Sequence, residues 1–321
     1  MTTTPRWTTL ALALALTATA ASACSSSDDG KSEAAPVRIV INPAAPPALP
    51  LVAEKNGDFK KNGMDVKITI LPSTSITTFA PGLGRTYDIA WGTPADVIAA
   101  SAQGHDIKVI AAAYVDSEEH QQGQLFASKS AKITSLADLK GKRIATPSLS
   151  GTLYLSVQTA LRKAGVEAKD VELVEVPFPN MLDQLNAGRV DAVATIEPFV
   201  GGFKAAGHTG LGDPFLSVAS PAVTGMWIAN QGWAQKNPEK VTGFVAALDA
   251  AETWAGANDK EARDFLASAL KLPPQVMAAS TLPDWESDIT AENLNPWIDA
   301  VAASGQVNGT LPKATDLVAG N

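Results

Sequence analysis

The run Ser148-Leu149-Ser150-Gly151-Thr152 gathers three hydroxyls around a glycine directly ahead of a helical pattern. A helix N-terminus presents unpartnered N–H groups and the positive end of the helix dipole. This run could therefore hold a carboxylate, a sulfonate or a carbonyl oxygen. It could equally be an ordinary helix start, with Ser148 or Ser150 as the N-cap. Thr93, just ahead of Pro94, carries the same two readings. Trp91 and Trp227 could stack on a planar ligand or pack in a core. Glu197 could pair with an amine or a ring N–H. It could also favour a helix N-terminus through the dipole, or face outward as a docking residue.

Catalytic signatures are missing. The chain has no HExxH, CxxC or GxSxG, and no Gly-x-x-x-x-Gly-Lys-Ser/Thr phosphate loop. His105, His120 and His208 are scattered without metal-ligand spacing, so no metal, cofactor or catalytic residue is expected. His105 should sit away from any cleft, Arg85 beside a turn should be solvated, and Asp116, Glu118 and Glu119 read as a solvated acidic loop.

Cys24 is the one cysteine of the chain. Arg6, the apolar run Leu10–Ala20 and the small residues Ala21-Ser22-Ala23 lead into it, the layout of a secretory signal peptide. The arrangement resembles a bacterial lipobox, with Ala21 where Leu is commonest. Residues 1–23 are then a signal peptide, Cys24 is lipidated, and 24–35 form a flexible tether. The alternatives are an exported protein with an incidental cysteine, or an uncleaved anchor. A comfortable membrane span needs about 20 apolar residues, more than this run supplies. A disulfide within one chain is impossible.

Loss of Arg6 would take the formal charge from −8 to −9. An acidic body argues against nucleic acid and against a basic membrane-docking surface. At 45% hydrophobic residues the 321-residue chain is ordinary for a packed globular protein, with room for two lobes.

The elements that must position these residues alternate. Strands are expected at 37–41, 66–71, 87–90 and 107–113, and helices at 48–61, 75–83 and from Thr93-Pro94 onward. A second set follows. Ser135 and Asp138 form a capping-box variant. Strands are expected at 143–145, 171–176 and 190–195, with helices at 151–163, 180–186 and after Glu197-Pro198. Helices then dominate from Asn237-Pro238, with further ones around 260–270, 274–280 and 291–302. Such alternation implies an α/β protein of mainly parallel sheets flanked by helices. Apolar crossovers are expected near Gln124–Ser128 and Val223–Asn230. They would divide lobe 1 (36–125 plus 229–321) from lobe 2 (126–228), with a ligand cleft and a hinge between them.

Four segments in order carry a family resemblance: Ala53 to Val66, Tyr87-Asp88-Ile89-Ala90-Trp91-Gly92, Ser135 to Ala145, and Leu185 to Ala192 with the following Glu197-Pro198. They resemble the substrate-binding proteins of ABC importers for sulfonates, taurine, nitrate, bicarbonate and thiamine-precursor pyrimidines. The resemblance covers most of 37–200. It implies a two-lobe, two-crossover (type II) periplasmic-binding-protein fold, with a membrane permease and its ATPase as partners. Enzymes that share the fold use His and Cys in the site, and this chain has no Cys beyond its signal boundary.

Ligands of open α/β sheets bind beyond the carboxyl ends of the strands. The residues just there are Asn42, Pro43, Ser73, Ser75, Trp91, Thr93, Ser148, Ser150, Gly151, Thr152 and Glu197, with Thr224 and Trp227 near the return crossover. No Lys or Arg can be placed among them. Their hydroxyls, tryptophans and prolines suit an organic ligand with aromatic or apolar area. The expectation is a monomeric extracytoplasmic binding lipoprotein, not an enzyme, that closes on a small organic ligand. An exported enzyme using Glu197, or a ligand sensor for a membrane receptor, are the alternatives.

Overall fold

The structure is a computed structural model, and it describes residues 35–44, 46–71 and 80–319. The signal peptide, Cys24 and most of the expected 75–83 helix lie outside the described residues. Among the described residues no helix is long and apolar enough to cross a membrane.

Two five-stranded sheets organise the chain. The first uses β1 (Val37–Ile41), β2 (Val66–Ile70), β3 (Ile89–Gly92), β4 (Ile107–Asp116) and β10 (Ala222–Asn230), in the order β2-β1-β3-β10-β4. The second uses β5 (Gly123–Ala127), β6 (Arg143–Thr146), β7 (Glu172–Glu175), β8 (Ala192–Ile196) and β9 (Thr209–Gly212), in the order β7-β6-β8-β5-β9. In each sheet four strands run one way, and one strand opposes them. β10 lies antiparallel between β3 and β4, and β5 antiparallel between β8 and β9. This is the expected two-lobe, periplasmic-binding-protein-like α/β fold.

Strand β1 is apolar at four of its five positions because both faces of its sheet are covered. On one face lie α1 (Leu49–Asn56), α2 (Asp58–Lys61), α8 (Pro238–Ala257) and α9 (Asp259–Ala269), whose Val52, Phe59, Phe244 and Leu266 are buried with Ile39 and Ile41. Gly57, at φ 74°, breaks the expected 48–61 helix into α1 and α2. A left-handed residue of this kind ends a helix at little cost only when it is glycine. On the other face, α3 (Pro94–Ala102) and α11 (Ala291–Ser304) meet α4 (Gly151–Lys163) of the second sheet in one continuous core. The far face of the second sheet packs Phe126 and Val193 against α5 (Phe178–Asn186) and α6 (Val200–Ala205), with Phe126 stacked on Phe203. The remaining helices are α7 (Gln231–Lys236), α10 (Pro274–Ala279) and α12 (Ala314–Leu317). The expected capping box of Ser135 and Asp138 is present.

The chain changes sheets within 117–122 and again within 213–221. Both changes fall just ahead of the expected crossover segments. Gln124–Ala127 is strand in the second sheet, and Val223–Asn230 is strand in the first. Apolar β-prone sequence marks paired strands, and the connections themselves are the residues just ahead of them.

Candidate ligand-binding site

A cavity of about 460 Å³ lies where the strand ends of the two sheets converge. From the first sheet come Asn42 after β1, Trp91 in β3, Thr93 and Asp96 at the start of α3, and Tyr114 in β4. From the second come Ser148 and Ser150 between β6 and α4, Thr152 in the first turn of α4, and Glu197 after β8. Gln122 and Phe215, from the two connections, line it too.

Nine of the thirteen strand-end candidates therefore line one cavity: Asn42, Trp91, Thr93, Ser148, Ser150, Gly151, Thr152, Glu197 and Thr224. Pro43 is exposed outside it. Trp227 is 1% exposed and packs edge-on against Phe244, with ring centroids 5.3 Å apart, so it sits in the core and not in the cavity wall. Ser73 and Ser75 lie outside the described residues. Trp91 is both core and wall: it is 8% exposed, and its Nε1 has no hydrogen-bond partner.

The expected caps work differently from the sequence pattern. Thr93 and Ser150 occupy N-cap positions, but neither side chain accepts a backbone N–H of its own helix. The Thr152 hydroxyl, from the other lobe, accepts the Ala95 N–H at 3.1 Å and donates to Thr93 Oγ1 at 2.8 Å. Thr93 in turn donates to Asp96 Oδ2 at 2.7 Å. A free N–H of α3 is thus satisfied across the cleft, and the Asp96 carboxyl is held beside the start of α4. Ser148 and Ser150 share a hydrogen bond of 3.1 Å between their hydroxyls.

Glu197 is 4% exposed and turned inward, which corrects the helix-acid and outward readings. Its Oε1 accepts the Thr281 N–H at 3.1 Å, and its Oε2 has no partner. Burial pushes both Glu197 and Asp96 above the usual carboxylate range; the hydrogen bonds from Thr281 and from Thr93 oppose this.

Asp116 is also buried, at 0% exposure, and is no part of a solvated acidic loop. Its Oδ1 accepts the Gln122 N–H at 2.7 Å, and its Oδ2 accepts the Thr224 hydroxyl. Asp213, from the second connection, accepts the N–H groups of Gly123 at 3.2 Å and Phe215 at 2.8 Å. The two carboxyls thus hold the adjacent N–H groups of Gln122 and Gly123, and burial pushes both upward, with the Asp116 charge adding to the rise at Asp213. Each connection between the sheets is therefore tied to the other beside the cavity. Burial also pushes the Tyr114 phenol upward, with the Asp116 charge adding to the effect.

Sequence reasoning missed Asp96, Tyr114, Gln122, Phe178 and Phe215. Asp96 had a signal, since an acid three residues after Thr93 repeats the Ser135–Asp138 spacing. Tyr114 lies beside Gly225, where a Cβ would approach its ring to 2.2 Å, so only glycine permits this packing. His105, His120 and His208 do not line the cavity. Among the described residues no group of His, Cys, Asp and Glu could hold a metal ion.

A family model described as NMT1/THI5 like matches residues 48–262. A Brucella abortus (strain 2308) protein, named only as a binding protein, is 25% identical over 277 residues, which cover 84% of this chain and 80% of that one. The taurine-binding periplasmic protein of Escherichia coli (strain K12) is 28% identical over 123 residues, 38% of each chain. Among solved structures, the periplasmic aliphatic sulphonate binding protein SsuA from Escherichia coli superposes with a TM-score of 0.77 at 18% identity, over 88% of this chain and 92% of that one. That last likeness is one of fold.

Proposed function

The chain belongs to the NMT1/THI5-like family, and from that premise we propose that it is an extracytoplasmic solute-binding protein serving an ABC importer. The cavity of about 460 Å³ between the strand ends of two sheets carries this reading. Its size falls in the range of about 300–1,000 Å³ that suits a small organic ligand. Both lobes contribute wall, so a bound molecule would bridge them and favour their closure. The connections at 117–122 and 213–221 are the natural hinge between lobes built on the two sheets.

Residues 1–23 act as an export signal in this reading. Cys24 carries the lipid, 24–35 serve as tether, and a permease with its ATPase receives the ligand. The names of the taurine-binding and sulphonate-binding relatives support a transport role. No covalent step is required. Among the described residues the cavity wall holds no Cys, His or Lys, and the hydroxyls of Thr93, Ser148, Ser150 and Thr152 are engaged in positioning.

The test has two arms. Full-length protein should bind a solute reversibly and release it chemically unchanged. It should also fractionate with membranes, and Cys24→Ser should move it to the soluble fraction. Turnover of a bound solute would replace the binding protein with an enzyme. A membrane-bound Cys24→Ser chain would remove the lipid anchor from the account.

A further inference from the structure

We propose that the cleft selects a ligand bearing a positively charged nitrogen, an ammonium or amidinium on an apolar or aromatic body, and excludes oxyanions. This deepens the solute-binding reading above and rests on it.

Among the described residues the carboxyls in the cavity wall are Asp96 and Glu197, one from each lobe, and no Lys, Arg or His joins them. Glu197 is 96% buried by residue area, and its Oε2 has no partner. A buried carboxylate without a counter-charge is costly. A cation entering the cavity supplies what the wall lacks. Lys204, the basic residue whose charge reaches Glu197, is exposed on α6 and outside the wall.

The N-terminus of α4 is where an oxyanion would be attracted. Asp96 already sits there: its Oδ1 lies 3.9 Å from the Cβ position of Gly151, the first residue of α4. An incoming sulfonate, nitrate or carboxylate would meet that carboxyl at close range. Trp91, Tyr114, Phe178 and Phe215 complete the cavity, and aromatic faces attract organic cations.

Matched aromatic probes test this on the full-length protein at pH 7 and constant ionic strength: phenethylamine and benzamidine as cations, 3-phenylpropionate and phenylmethanesulfonate as anions, and benzyl alcohol as the neutral member. The cations should raise the melting temperature and titrate at one site per chain, and the anions should do neither. Glu197→Gln retains an oxygen for the Thr281 N–H, and it should weaken cation binding at least 10-fold. Asp96→Asn, which retains an acceptor for Thr93, provides the same test should the first variant fold poorly. An anion or the neutral alcohol binding more tightly than the cations would overturn the charge assignment and leave the solute-binding reading standing. Unchanged cation affinity in both variants would also overturn it. Failure of every probe at millimolar concentration would count against both.

Discussion

Asp116 and Asp213, at the two places where the chain passes between sheets, accept the adjacent N–H groups of Gln122 at 2.7 Å and Gly123 at 3.2 Å. Asp116 closes β4 and Asp213 follows β9, so the pair fastens one connection to the other. Burial, then the mutual interaction, keeps Asp213 protonated above the ordinary carboxylate range. The folded state therefore binds a proton that the unfolded chain has already released. That contribution to stability is full below the ordinary carboxylate pKa and is lost as pH rises towards the folded value.

Replacing Asp213 by Asn should remove that loss. Wild-type melting temperature should fall more steeply than that of Asp213→Asn between pH 5 and pH 9. Equal slopes in the two proteins would mean that Asp213 does not hold that proton.

Glu252 gives a second and separate pH effect. Burial, then the charges of Glu286, Asp249 and Asp284, push its pKa from 4.5 to about 7. The sign is the same: stability falls as pH rises through this interval. Glu252→Gln should therefore be more stable than wild type at pH 8 and indistinguishable at pH 4, as read by thermal unfolding.

Thr152 should matter to the contact between lobes. Thr152→Val keeps the shape but strips the Ala95 N–H and Thr93 of their partner. The expected loss is about 1 kcal/mol of stability, typical of a lost helix cap. Thr152→Ser should restore most of it. A Val variant as stable as wild type would show that the bond across the cleft is dispensable.

Gly225→Ala should damage the cavity from behind. The added Cβ would overlap the Tyr114 ring and force it towards the ligand space. Overpacking of this kind costs roughly 1–3 kcal/mol. Denaturant unfolding should show that loss, and solute affinity should fall with it.

The positions of the strands were legible because their apolar runs match sheets covered on both faces. The residues at and just past their ends supplied nine of the eighteen residues of the cavity wall. Trp227 was misleading because it lies in β10 three residues from Thr224, along a strand with register shifts between Val223 and Gly225, between Gly225 and Met226, and between Trp227 and Ile228. Simple alternation cannot say which face such a residue takes. Asp116 looked like part of a solvated acidic loop, and Gln122 and Asp213 carried no local signal. Their burial arises only when the two connections meet, a contact between residues far apart in sequence. Glu197 was placed in the wall, but its inward burial was not legible, since the Thr281 N–H that it accepts comes from the segment after α10. Thr93 and Ser150 were read correctly as positions but not as bonds. Local capping competes with partners from the opposite lobe, and no local pattern records that competition.

The most direct test of the cleft is native mass spectrometry of the detergent-solubilised full-length chain with the cation, anion and neutral probes, beside a Ser148→Trp variant whose indole would fill the cavity. One unchanged small molecule should be retained per wild-type chain, and the retention should disappear in the variant without loss of fold. Equal retention by the variant, or recovery of a chemically altered molecule, would contradict a solute-binding cleft between these two sheets.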